Sequence, residues 1–218
     1  MKSGTGKDIK IDVTTSVSAS LPPHGSLNKD FIPFLKQRNI DTVLDFGVGS
    51  LRHTLPLLEE GFTVCAVEFE ECFSRTFCSA FLQIALKYHN FLPMVWPGDF
   101  INSNRRFGAV LLTYVLQVMP VPSERELVLR HITKKMTKDS YLLYMSRYNQ
   151  ITDSDAKHRV SDGYYRWPDR ATHSFYREFT GEETQEMMHR YGLQRIRSLG
   201  RNGQEQVFLY SKGGGTWI

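Results

Sequence analysis

Two glycines and three acidic residues stand at the ends of apolar runs, where their side chains and backbone could meet one ligand. Asp45-Phe46-Gly47-Val48-Gly49-Ser50 closes the run Thr42–Phe46 and precedes Leu51–Glu60, a segment that reads as a helix stopped by Gly61. Glycines at such a junction let the backbone approach a ligand, and the helix N-terminus supplies unpaired N–H groups. Eighteen residues beyond Ser50 comes Glu68, at the end of a second run, Thr63–Val67, with Phe69 next to it. A carboxylate in that place can accept hydrogen bonds from ribose hydroxyls. After a third run, Met94–Trp96, Asp99 can accept from an adenine amino group while Phe100 packs against the ring.

Two nucleoside ligands fit this outline. A dinucleotide fingerprint needs a third glycine where Arg52 stands, and it has no use for an acid two residues before the first glycine. Asp45 instead suits a ligand that carries an ammonium or other positive charge and no pyrophosphate. S-adenosylmethionine is such a ligand. A nicotinamide oxidoreductase is therefore the weaker reading.

The elements that must position these residues alternate along the chain. Ala109–Tyr114 is a fourth, wholly apolar run and Tyr141–Met145 a fifth, with helical patterns between. Phe73, Phe77, Phe81, Ile84 and Tyr88 form one helical stripe. Ser123-Glu-Arg-Glu126 and Thr180-Gly-Glu-Glu183 each read as a capping box opening a helix. Gln194–Leu199 and Gln206–Tyr210, joined through Gly200-Arg201-Asn202-Gly203, read as a terminal hairpin. Apolar strands alternating with helices predict an α/β fold, a doubly wound and mostly parallel sheet with an antiparallel C-terminal strand in a single domain. Ligands in such sheets lie beyond the carboxyl ends of the strands.

With these residues in place, the chain resembles the class I S-adenosylmethionine-dependent methyltransferases over roughly residues 26–211. Val43–Gly49 is similar to the family's first motif, Val67-Glu68 to its ribose-binding acid, Gly98-Asp99-Phe100 to its adenine-binding segment and Leu111–Gln117 to the segment beside the methionine moiety. The resemblance implies S-adenosylmethionine as cofactor and S-adenosylhomocysteine as product. It implies cofactor contacts from Asp45, Gly47, Gly49, Glu68, Phe69, Asp99, Phe100 and Thr113. The family often has a further small residue where Ser50 and Leu51 stand here.

The methyl acceptor is less well marked. No Asn/Asp-Pro-Pro-Tyr/Phe follows the fourth run, which argues against a base-amino DNA enzyme, and no Pro-Cys pair supports a cysteine nucleophile. Thr113-Tyr114-Val115-Leu116 looks more like enzymes of small molecules. Tyr114 and Gln117 fall near the transferred methyl, with Tyr114 a candidate catalytic residue. The long stretch 147–178 is the candidate acceptor loop, with Tyr148, Tyr165, Arg166 and Trp167 as substrate contacts and His173 as proton acceptor. Arg52 and His53 follow the glycine loop, where contact with a ligand and exposure to solvent are equally expected. A surface loop pinned by its aromatics is the plain alternative for 147–178.

Composition bounds the rest. The chain has 218 residues, 41% hydrophobic, with net charge +4. Basic stretches at 186–201 and in the first 38 residues keep an RNA or DNA methyltransferase open as an alternative, alongside a non-catalytic S-adenosylmethionine-binding module. No run is long and apolar enough to cross a membrane, so no membrane partner is expected. Three cysteines, Cys65, Cys72 and Cys78, in no metal-ligand pattern point to a reducing cytoplasm and to no bound metal. Residues 1–25 read as a flexible arm and 212–218 as a tail. The acceptor and the oligomeric state are not legible in the sequence.

Overall fold

The computed structural model describes residues 10–12, 21–72, 78–166, 172–200 and 203–213. A π-helical turn, Leu27–Phe31, runs into α1 (Ile32–Gln37), followed by β1 (Thr42–Phe46), α2 (Thr54–Glu59) and β2 (Thr63–Phe69). Next come α3 (Glu70–Cys72), α4 (Cys78–Lys87), β3 (Phe91–Trp96), α5 (Gly98–Asn102) and β4 (Phe107–Thr113). A 3-10 turn, Leu116–Val118, leads to α6 (Pro122–Lys135) and the long β5 (Met136–Arg147). Then follow α7 (Asp153–Ala156), β6 (Arg159–Val160), β7 (Gly163–Arg166), β8 (Ser174–Tyr176), α8 (Gly181–His189), β9 (Leu193–Ser198) and β10 (Glu205–Lys212).

Seven strands make the main sheet in the order β3-β2-β1-β4-β5-β10-β9. The first five are parallel, and β10 inserts antiparallel between β5 and β9. This is the expected architecture. The alternation of each strand explains why both faces are covered. Val43, Val64, Ala66, Ala109, Leu111, Leu143 and Leu209 face one core with Leu27, Phe31, Leu35 and Leu57. Leu44, Phe46, Val67, Val110, Leu112, Leu142 and Phe208 face the other with Phe100, Val128, Ile132 and Met188.

Several local readings need correction. The helix expected from Leu51 starts only at Thr54, because Leu51 takes a left-handed φ of 62° that no helix interior accepts. The capping box at Ser123 does not form. Pro122 already occupies the first helical turn and Val121 is the cap, so Ser123 is inside the helix. At Thr180 the box does form: its hydroxyl accepts from Glu183 N at 3.1 Å, and Glu183 accepts from Thr180 N at 2.8 Å. Of the aromatic stripe, Phe73 and Phe77 lie outside the described residues, while Phe81 is buried on α4.

The stretch 147–178 is not a plain loop. It holds a three-stranded antiparallel sheet, β6-β7-β8, around Val160 and Phe175. Asp162, between β6 and β7, is ion-paired with Arg125 of α6 and with Arg177, which fastens this small sheet to the main body. Part of the expected loose arm is also anchored. Asp12 N donates to His173 O at 2.9 Å, and His173 N donates to Lys10 O at 3.0 Å. Among the described residues no helix is long and apolar enough to cross a membrane.

Candidate functional site

A cavity of about 810 Å³ opens beyond the carboxyl ends of the parallel strands. Gly47, Gly49, Arg52, His53, Glu68 and Phe69 form one wall. Thr113, Tyr114, Gln117, Met119, Arg147, Arg166, Phe175 and Tyr176 contribute to the other, with Trp96 and Pro97 at the side.

The glycine loop is shaped by backbone geometry. Gly47 and Gly49 have φ of 75° and 50°. A Cβ on Gly47 would lie 2.4 Å from Val115 Cγ2, so only glycine lets the loop pass that close to the segment after β4. Gly47 N donates to Val67 O at 2.8 Å, and Glu68 receives Gly49 N at 2.7 Å and Phe69 N at 2.8 Å. Glu68 is thereby fixed at the cavity edge with lone pairs left to accept further donors. Burial pushes its pKa up, against the pull of those backbone N–H groups.

The exit of the loop is pinned by two consecutive residues. Thr54 Oγ1 donates to Asp45 Oδ2 at 2.7 Å, and His53 Nδ1 shares a 3.1 Å hydrogen bond with Thr113 Oγ1. Asp45, one residue before the end of β1, and Thr113, at the end of the adjacent β4, point to the α2 side, which is why successive residues reach them. Asp45 is 1% exposed and stands behind the cavity wall. It does not face the cavity directly, as its motif position suggested; it holds the first turn of α2. Burial raises its carboxyl to about 7. His53 is 4% exposed and lines the cavity. Burial and the charge of Arg52 lower its pKa to about 3, so its ring is neutral. Asp45 Oδ1 and His53 Nε2 are buried with no partner.

Tyr114 stands where the two walls meet. Its φ is 61°, its ring stacks on His53 with centroids 6.4 Å apart, and Arg52 lies 5.0 Å above its centroid. Its hydroxyl donates to Glu205 Oε1 at 2.7 Å, and burial raises its pKa. Glu205 Oε2 receives His24 Nε2 at 2.8 Å; the proton is on Nε2 because Nδ1 accepts Ser26 N at 3.1 Å. Gln117 is buried, and its Oε1 accepts Arg147 N at 2.8 Å.

The expected site residues divide accordingly. Gly47, Gly49, Glu68, Phe69, Thr113, Tyr114 and Arg166 all line the cavity. Asp99 and Phe100 do not. The Asp99 carboxylate folds back to accept Val95 N at 3.2 Å, and Phe100 is fully buried against Phe46 and Trp96. The reason is that α5 begins at Gly98, which turns the Phe100 ring toward the core on the opposite face of the sheet. Trp96 and Pro97 take the wall position instead. His173 and Tyr165 lie away from the cavity wall, packed on each other at 5.2 Å. Tyr148 also lies outside the wall, with its N–H donated to Gln204 O at 2.8 Å. Trp167 is outside the described residues. His53, Arg147 and Glu205 are the residues that sequence reasoning did not select. The Arg52-His53 pair beside the glycines was the one available signal; its burial was not.

No family model matches the chain, and no curated protein matches it. Solved structures do. One similar structure is 1,6-didemethyltoxoflavin-N1-methyltransferase of Burkholderia thailandensis, with bound 1,6-didemethyltoxoflavin and S-adenosylhomocysteine. It has a TM-score of 0.63 at 18% identity, over 88% of this chain and 80% of that one. The fold is that of the class I methyltransferases. An S-adenosylmethionine-dependent methyltransferase from Clostridium acetobutylicum ATCC 824 shares this methyltransferase fold at TM-score 0.64 and 12% identity, over 93% and 95% of the two chains. So does magnesium protoporphyrin IX methyltransferase of Synechocystis PCC 6803 with bound S-adenosylhomocysteine, at 0.59 and 13%, over 86% and 82%. In this chain the glycine cradle and the Glu68 carboxylate, with lone pairs left to accept, fit a nucleoside ligand.

Proposed function

We propose that the protein is a methyltransferase that moves a methyl group from S-adenosylmethionine to a small or medium-sized acceptor by in-line displacement. The observation that carries this reading is that one cavity joins the glycine loop and Glu68 to the Tyr114–Arg147 wall, so two ligands can meet in it. When bound, S-adenosylmethionine supplies an electrophilic methyl on a sulfonium.

Gly47 and Gly49 would admit the nucleoside close to the backbone, Glu68 would accept from its ribose hydroxyls, and Phe69 and Trp96 line the cavity where its base could pack. Asp45 acts through Thr54 by setting the angle at which the loop enters α2. Tyr114 and His53 line the junction of the walls. Because the His53 ring is neutral and its Nε2 unpartnered, it is suited to hydrogen-bond the acceptor's reacting group. This role replaces the proton-acceptor role expected of His173. Arg166 would be an acceptor contact, while Tyr165 packs within the small sheet between His158 and His173. A cytoplasmic location goes with this reading, supported by the free, buried state of Cys65 and Cys72.

Calorimetric titration with S-adenosylmethionine and S-adenosylhomocysteine tests the cofactor. Binding of both is expected at micromolar concentrations, on the order of −8 kcal/mol. Absence of binding by either at millimolar concentration overturns the reading. Transfer of labelled methyl to a metabolite pool, lost in Gly47→Ala, separates an enzyme from a binding module.

A further inference from the structure

Arg147 ends β5 inside the cavity, and its backbone is held from both sides. Gln117 Oε1 accepts its N–H at 2.8 Å, and Tyr176 Oη donates to its carbonyl at 3.1 Å. The root of the side chain is therefore set by hydrogen bonds that do not involve the guanidinium.

The guanidinium itself has no carboxylate within ion-pair distance among the described residues, unlike Arg166, Arg125 and Arg177. Arg166 pairs with Asp155 at 3.4 Å and donates to Gln150 O at 2.9 Å. Arg125 pairs with Asp162, and Arg177 with Asp162 and Glu183. Two nearby carboxylates make their hydrogen bonds to other groups. Glu205, its register partner on β10, is taken by Tyr114 Oη and His24 Nε2. Glu178 accepts Gln150 N at 2.9 Å and lies 3.5 Å from Tyr176 Oη. Burial raises the pKa of both the Tyr114 and Tyr176 phenols, and the charge of Arg147 opposes the rise in each.

A half-buried guanidinium kept apart from nearby carboxylates is a site for an anion from outside, and its planar fork matches an oxyanion with two oxygens. Aromatic and apolar side chains share the wall with it: Tyr114, Phe175, Tyr176, Val118 and Met119. We propose that Arg147 anchors an oxyanion, a carboxylate or a phosphate monoester, carried on a planar ring that is the methyl acceptor. The ring lies against Tyr176 and Phe175, and its reacting atom is directed toward the junction at Tyr114 and His53. This rests on the methyltransferase reading for the word acceptor, but the anion site itself does not.

The test is binding of 2-naphthoate, 2-naphthyl phosphate and 2-naphthamide, followed by calorimetry with and without saturating S-adenosylhomocysteine. At least one of the two anions is expected to bind tenfold or more tightly than the amide. Whichever anion binds better identifies the oxyanion. Arg147→Gln is expected to erase the preference and Arg147→Lys to keep part of it, both with unchanged S-adenosylhomocysteine affinity and thermal midpoint. Equal binding of all three probes, or a preference that survives Arg147→Gln, overturns the proposal. Failure of S-adenosylhomocysteine to bind would remove the methyltransferase reading, while the probe series without it would still decide the anion site. If Arg147→Gln lowers the thermal midpoint, Arg147→Lys with an intact midpoint supplies the comparison.

Discussion

On the β1–β2 side of the cavity, backbone does much of the shaping: two left-handed glycines and a carboxylate tied to two backbone N–H groups stand beside the Arg52, His53 and Phe69 side chains. On the β4–β5 side it is made of side chains: Tyr114, Gln117, Arg147 and Tyr176, each held by a partner distant in sequence. The first wall tolerates little change, because a Cβ or a shifted φ blocks it outright. The second is set by contacts that can be exchanged singly. Two solved structures of similar fold differ in just this way: one holds 1,6-didemethyltoxoflavin and the other is a magnesium protoporphyrin IX methyltransferase.

The sharpest way to break this comparison is Gly47→Ala. A Cβ 2.4 Å from Val115 Cγ2, at a φ of 75°, is expected to cost about 2–3 kcal/mol of stability and more than ~100-fold in S-adenosylhomocysteine affinity. Retained affinity within tenfold would mean that side chains, not backbone, make that wall.

Asp45→Asn should produce the next largest effect, and on stability. The carboxyl ionises near 3.8 when unfolded and near 7 when buried, so the unfolded chain loses its proton first. Wild-type stability therefore declines as pH rises from about 4 to about 7, by at most about 4 kcal/mol from this group. The asparagine variant removes that slope and is more stable by about 2 kcal/mol at pH 8, read from urea unfolding across the range. An unchanged slope would show that Asp45 is charged in the fold.

His53→Gln tests the opposite limb. The unfolded ring takes a proton near 6.5 and the folded ring only near 3, so wild-type stability falls as pH drops below 6.5. The variant is expected to flatten that decline by about 1–2 kcal/mol at pH 5, since only the first part of the range has been crossed. The smallest effect belongs to the second wall. Tyr176→Phe removes one hydroxyl from the Arg147 carbonyl and is expected to cost about 1 kcal/mol, with S-adenosylhomocysteine affinity unchanged within twofold. A large loss of that affinity would join the two walls into one unit.

Legibility followed the same division. Asp45, Gly47, Gly49 and Glu68 were recognisable because the features that bring them together are local: strand ends, a turn and a fixed spacing. Phe100 misled because an aromatic after a strand-end Asp looks the same whether it faces a ligand or the core, and only the start of α5 at Gly98 decides which. His173 was expected as proton acceptor from its place in the long stretch 147–178; the structure packs it on Tyr165 away from the cavity wall, while His53, bonded to Thr113 and stacked on Tyr114, lines the cavity.

The sequence by itself determined the sheet, through alternation of apolar residues along each strand, and the glycine loop, through backbone freedom that only glycine has. Tertiary structure alone decided which charges remain unpaired. Arg147, Glu205, Tyr114 and His24 come from four distant segments, and no local pattern records that Glu205 gives its two oxygens to tyrosine and histidine while its strand neighbour Arg147 keeps its charge for the cavity. Coulombic pairing depends on distance in space, which the order of residues along the chain does not encode.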